Sequence, residues 1–144
     1  MKPVKQPTQI KNFVQQTLGC GCPESVFQSM LTDQFTLPEV PNAPIIRLLI
    51  GQRLLIYLVA SNTGRPWSPG QLTLLTARGL QEREQHGYNR LRLVIILAEH
   101  TDHQQQTMER SFSALQGTDD RLHLHVISAR DSSLVGTGLL PHAP

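Results

Sequence analysis

Both cysteines of the chain, Cys20 and Cys22, stand one residue apart in the stretch LGCGCPES at 18–25. Glycines flank the first of them, and a proline follows the second. A thiolate attacks disulfides and ligates soft metals, so a Cys-Gly-Cys turn has two chemical uses. As a redox pair, Cys22 would sit at the N-cap of a helix opened by Pro23 and Glu24. The helix dipole and unpaired N–H groups there would pull its thiol pKa below the ~8.5 of a free cysteine, with Cys20 as the resolving partner. A ring this small, closed as a disulfide, would be strained and easy to reduce. The competing structural reading is two small, half-buried residues packed in a tight turn.

As metal ligands the two cysteines fill only half of a tetrahedral site. The other half would come from His100 and His103, an H-x-x-H at a strand-to-helix corner, from His123 and His125 on one strand face, or from a second copy of the chain. The cysteines and the His100–His103 corner are expected to lie apart. No cofactor and no mononuclear metal site within one chain is therefore expected. If a metal is bound, zinc or an iron–sulfur cluster is the candidate, with Cys20, Cys22, His100 and His103 as ligands to test.

A third group is positional. Ligands of open α/β sheets bind beyond the carboxyl ends of parallel strands. Those ends fall at 61–62, 99–100 and 130–131, where Glu99 and His100, with Asp102, could do acid–base catalysis. No Walker loop and no G-x-G-x-x-G precedes a helix, so no nucleotide is implied.

The elements that must position these groups follow from patterning. The 144 residues, 39% hydrophobic and 17% charged, suit one domain spanning 1–144 with irregular tails at 1–7 and 131–144. A net charge of +2, with scattered arginines read as solvated surface, gives no reason to expect nucleic acid. Residues 8–32 read as helix, tight turn, helix, but PESVFQSML carries no Arg or Lys to meet phosphates. No stretch approaches the ~20 apolar residues of a membrane span, and residues 1–16 carry lysines but no apolar core of the kind a signal peptide needs. The cytoplasm is the expected compartment.

Ile10, Phe13, Val14 and Leu18 recur at helical spacing after a Thr8 cap, and Gly19 stops that helix. Pro23 opens a second helix with Val26, Phe27, Met30 and Leu31 inward. TLPEVPNAP at 36–44 reads as a linker. Strands at 45–50 and 53–60 pair antiparallel through a type II′ turn at Gly51-Gln52. Ser68 and Pro69 open a helix to about 85, with Leu72, Leu75 and Leu80 on its apolar side, and His86-Gly87 closes it. RLRLVIILA at 90–98 is a strand buried on both faces. Thr101 and Gln104 box the start of a helix to about 116, with Met108, Phe112 and Leu115 inward, and Gly117 ends it. RLHLHVISA at 121–129 is an edge strand. Its RLHLHVI repeats the pattern of RLRLVII, as two βα units meeting one structural need.

The fold class is α/β: a three-layer α/β/α sandwich. Its four-stranded mixed sheet begins with an antiparallel hairpin and continues as parallel βαβαβ. Both crossover helices lie on one face, and an N-terminal helical hairpin, with the cysteines at its corner, covers the other.

The stretches FVQQTLGCGCPESVF, RLLIGQRLLIYLV and GYNRLRLVI together resemble a group of small bacterial and archaeal proteins of unassigned function. These share an LGCGCP-x-x-VF start and an arginine-initiated strand after an aromatic-Asn pair, here Tyr88-Asn89. The resemblance covers most of 11–98 and implies one compact domain, with no activity attached. The residues favour a thiol redox or redox-sensing pair. The alternative is a non-catalytic interaction or oligomerisation module, a homodimer joined through the edge strands 45–50 or 121–127.

Overall fold

The computed structural model describes residues 1–61, 67–98 and 101–129. One six-stranded sheet runs β1 (Lys2–Pro3), β2 (Met30–Leu37), β3 (Val40–Ile50), β4 (Leu54–Ser61), β5 (Arg90–Leu97) and β6 (Leu122–Ser128), side by side in chain order. The first four strands are antiparallel neighbours, and β4, β5 and β6 are parallel. The expected α/β class and the parallel half of the sheet are present. The sheet has six strands rather than four, because the N-terminal third contributes two more.

The parallel half follows its local signals closely. Helices α2 (Pro69–His86) and α3 (Asp102–Gln116) connect β4 to β5 and β5 to β6. Ser68 and Gln71 form a reciprocal capping box at the start of α2, and Gly87, in the left-handed region, ends it. Thr101 accepts the Gln104 N–H at the start of α3. Both helices pack on one face of the sheet. There Leu72, Leu75, Met108 and Phe112 meet Tyr57, Leu91, Leu93 and Ile95.

Gly79 is the closest approach of α2 to that face. A Cβ built on it lies 2.6 Å from Leu91 Cδ2 and 3.1 Å from Tyr57 Cε2. Leu91 and Tyr57 are fully buried and have nowhere to go. Gly79→Ala is therefore expected to destabilise by about 1 kcal/mol, because an overpacking cost of ~1–3 kcal/mol outweighs the ~1 kcal/mol that alanine adds to a helix. A urea midpoint that rises instead would show that α2 can lift off the sheet.

The opposite face is covered by α1 (Pro7–Asn12) and a π-helical turn (Phe13–Thr17) that continues it. Ile10, Phe13, Val14 and Leu18 all point into the sheet, as their spacing predicts, and pack on Ile46, Leu48, Ile56 and Val94. The helix begins at Pro7 with Gln6 as cap, not at a Thr8 cap. Residues 1–7 are not an irregular tail either, since β1 pairs with β2.

The second predicted helix is a correction. Glu24–Gln28 makes a single 3-10 turn capped by Pro23, and the chain then enters β2 at Met30. Val26, Phe27, Met30 and Leu31 have helical spacing. Met30 and Leu31 also fit a strand of period two, and pairing with Ile50 and Leu49 of β3 claims them. TLPEVPNAP is likewise no linker. Leu37 pairs with Val40 across a two-residue turn, and the β2–β3 register shifts just beyond it. Pro41 and Pro44 fall in that irregular part of β3, where a missing N–H breaks no regular ladder.

β3 and β4 pair antiparallel as expected, Ile50 opposite Leu54. Gly51 and Gln52 both have positive φ, at 60° and 55°, which is the type I′ pattern rather than II′. Gly51 serves a second purpose. Its N–H donates to the Ser29 carbonyl at 2.7 Å, and an added Cβ would stand 2.7 Å from the Val26 carbonyl oxygen. The 3-10 turn thus rests directly on the hairpin tip. Flanked by β2 and β4, β3 is an interior strand and offers no edge at 45–50; among the described residues the sheet's edges are β6 on one side and, on the other, the two-residue β1 with the part of β2 beyond it.

Candidate functional site

Cys20 and Cys22 are joined as a disulfide, with Cα atoms 5.3 Å apart. Their loop is held at both ends. Gly19 takes φ 68° at the close of the π-helical turn, and the Cys20 N–H reaches back to the Val14 carbonyl at 3.1 Å. That bond turns Cys20 inward, where it is 8% exposed among Ile10, Val14 and Leu18. Cys22 is half-buried, packed against the same core. Past the ring, Lys11 pairs with Glu24, and Gln15 donates to the same carboxylate at 3.4 Å, so α1 and the 3-10 turn are clamped across the loop. Those bonds hold the Glu24 carboxyl below its ordinary pKa.

Cys22 lies next to an N-cap, which is Pro23. The five-residue 3-10 turn behind it lacks the length of dipole that the helix-terminus argument needs, so that reason for an acidic thiol is withdrawn.

The loop sits beside a ladder of basic side chains. Arg90 and Arg92 on β5 and His123 and His125 on β6 share the face that α1 covers. Arg92 and His123 are register partners. Arg90 Nη1 lies 2.9 Å from His123 Nε2, and Arg92 Nη1 lies 2.9 Å from His125 Nε2. Arg92 Nη1 also donates to the Leu18 carbonyl at 3.3 Å, two residues before Cys20. Burial and the neighbouring Arg90 lower the pKa of Arg92. Burial and Arg92 push the His125 imidazole down to about 4, and the same two causes lower His123. Both imidazoles are therefore neutral acceptors at neutral pH.

A different arrangement occupies the α2 face. Arg47 on β3 donates from Nε to Asp33 at 2.7 Å and from Nη1 to both oxygens of Glu82 at 2.8 and 2.9 Å. The Tyr57 hydroxyl donates to the same Glu82. Phe35 lies between two guanidiniums, 5.0 Å from that of Arg47 and 5.5 Å from that of Arg78. Burial and the bond to Glu82 drive the Tyr57 pKa well up, and the bond to Asp33 does the same for Arg47. Among the described residues Arg47, Asp33, Glu82 and Tyr57 bond to one another, so the cluster ties α2 to the antiparallel half of the sheet. Arg83, the residue after Glu82 in α2, ties the helix to the segment before β6 instead, bonded to Asp119 at 2.7 Å and also to Glu84 at 2.8 Å.

The four candidate metal ligands are not brought together. His103 is exposed on the first turn of α3, in the layer on the other face of the sheet from the cysteines. His100 lies outside the described residues, as does Glu99. Among the described residues no group of three or more His, Cys, Asp or Glu side chains could hold a metal. His123 and His125 do share a strand face, but their Nε2 atoms are turned to arginines. The reading of the arginines as solvated surface is also corrected. Arg83 is 4% exposed and Arg92 9%, and Arg47 is largely covered. Period-two alternation in both RLRL and RLHLH was the available signal, because it places Arg90, Arg92, His123 and His125 on one face of adjacent strands.

Comparison with protein-family models, with curated proteins and with solved structures finds no match. No described helix is long and apolar enough to cross a membrane.

Proposed function

We propose that Cys20 and Cys22 form a redox-active pair that exchanges electrons with an external dithiol. The observation that carries this reading is the asymmetry of the disulfide, with Cys20 buried in the core among Ile10, Val14 and Leu18 and Cys22 only half-buried against that core. An incoming thiolate attacks the more accessible Cys22 Sγ. The S–S bond breaks and Cys20 leaves as a thiolate, which takes a proton. The second thiol of the partner, as thiolate, then attacks the mixed disulfide and releases Cys22. The partner leaves as a disulfide, and the protein holds two thiols. Resetting the pair needs a disulfide-bearing oxidant of the same class.

The clamped loop supports reversibility. Lys11–Glu24 and the Gly51–Ser29 bond hold α1 and the 3-10 turn in place without help from the sulfurs. The module reading has less behind it. Among the described residues the only large apolar side chains well exposed are Met1 and Leu74, far from a docking patch in size.

Equilibration of the folded protein with dithiothreitol, followed by alkylation and mass spectrometry, tests the proposal. Expected are reversible opening without loss of folded signal and, when Cys20→Ser is treated separately with glutathione disulfide in place of dithiothreitol, a mixed disulfide at Cys22 with release of one glutathione thiol. A pair that opens only after the protein unfolds would make the disulfide a structural staple and end the redox reading.

A further inference from the structure

Three arginines reach into this molecule, and two of them are saturated with acid. Arg47 binds Asp33 and Glu82, and Arg83 binds Glu84 and Asp119. Arg92 differs. It is 9% exposed, and among the described residues its Nη1 meets only the neutral His125 and the Leu18 carbonyl and its buried Nε has no hydrogen-bond partner. An imidazole that accepts from a guanidinium cannot neutralise it. Among the described residues, no carboxylate bonds to Arg92 or to Arg90. A buried cation left in this state costs several kcal/mol unless something supplies the opposite charge.

We propose that the Arg90, Arg92, His123 and His125 ladder binds a phosphate-type oxyanion, with Arg92 as its buried anchor. The placement fits that chemistry. Side chains two apart on one strand stand ~6.6 Å apart at their Cα atoms, within reach of a single ligand for two long guanidinium forks. The imidazoles of the adjacent strand fill the second row. A planar carboxylate satisfies one fork. A tetrahedral phosphate presents oxygens to both guanidiniums at once, while the neutral imidazoles, already accepting from Arg90 and Arg92 through Nε2, orient the forks. The approach is from the Arg90, His123 and His125 side, where all three residues are half-buried rather than sealed. Among the described residues the acidic groups near it stand at its rim: Asp119, held by Arg83, and Asp120, whose carbonyl accepts from Arg90 at 3.0 Å. The site does not depend on the redox reading, although Leu18 links it to the disulfide loop.

The test uses the full chain in phosphate-free buffer, titrated with inorganic phosphate and, separately, with phenyl phosphate. Binding is read by calorimetry and by the NMR signals of the arginine Nε–H groups. Saturable binding with a Kd of ~1 mM or tighter is expected, with the Arg92 Nε–H signal moving most. Arg90→Gln, at the half-buried mouth where folding is not at risk, and Arg92→Lys should each weaken binding at least ~10-fold, and Arg53→Gln at the exposed hairpin tip should not. Binding of phenyl phosphate alone would assign the site to phosphomonoesters, and binding of both would assign it to the free anion as well. The Cys20→Ser/Cys22→Ser variant should bind as the parent does, which separates this site from the redox pair. Absence of saturable binding of either probe, or equal binding by Arg90→Gln and Arg92→Lys, would overturn the proposal.

Discussion

Arg47→Leu is expected to lower the free energy of unfolding by about 3 kcal/mol, since removing one partner of a buried ion pair strands the other. The stranded group is Glu82, whose side chain is 7% exposed. It would keep only the Tyr57 hydroxyl as a donor. Asp33 is less affected, being 29% exposed and open to water. The double change Arg47→Leu/Glu82→Leu should therefore be less destabilising than Arg47→Leu alone, because it removes the orphaned carboxylate and fills the space with apolar atoms. Urea unfolding of the two variants measures this directly. A double variant weaker than the single would mean that the cluster acts through packing of the Arg47 stem on Phe35, 5.0 Å from the guanidinium, and not through charge.

Acid should destabilise the fold earlier than its carboxylates alone would require. The folded His125 pKa is depressed to about 4 from an ordinary 6.5, first by burial and then by Arg92 and His123. Between those two values the unfolded chain binds a proton that the folded chain refuses. Stability from this group is then fully present above about pH 6.5 and falls as pH drops toward 4. Because the ring is partly exposed, the loss is on the order of 2 kcal/mol rather than the full value of the shift. His123, also lowered, adds a smaller slope of the same sign. His125→Gln keeps an acceptor for Arg92 and cannot titrate, so its stability should change much less over that range. Denaturant midpoints measured at pH 7, 6, 5 and 4.5 give the comparison; parallel slopes for parent and variant would show that folded His125 takes up its proton over the same pH range as in the unfolded chain.

Local chemistry settled the parallel half of this protein. Ser68-Pro69, His86-Gly87, Thr101 and Gly117 are helix stops and starts whose effect does not depend on distant partners, and α2 and α3 begin and end at them. The apolar run at 90–97 and the stripe Ile10, Phe13, Val14 and Leu18 are likewise one-dimensional signals with a single physical outcome, burial. The pairing of 45–50 with the strand after Gly51-Gln52 is legible for the same reason.

Only the tertiary structure decided the rest. Residues 24–37 carry apolar spacing that suits a helix or a strand, and pairing with Ile45 to Ile50 of β3 selects the strand for 30–37. Prolines that punctuate a linker in one dimension sit, in three, where the β2–β3 register is already broken. Arg47, Asp33, Tyr57 and Glu82 come from three strands and a helix, and nothing in their spacing announces that they meet. The basic ladder required knowing that β5 and β6 are parallel neighbours in a register that sets Arg92 beside His123. The adjacency of Cys20 and Cys22 was plain from the first, but which sulfur is covered depends on a helix end that turns the Cys20 N–H toward the Val14 carbonyl. Burial is a property of a face, and the sequence orders residues along a line; which faces close on each other is set by contacts between segments far apart in the chain.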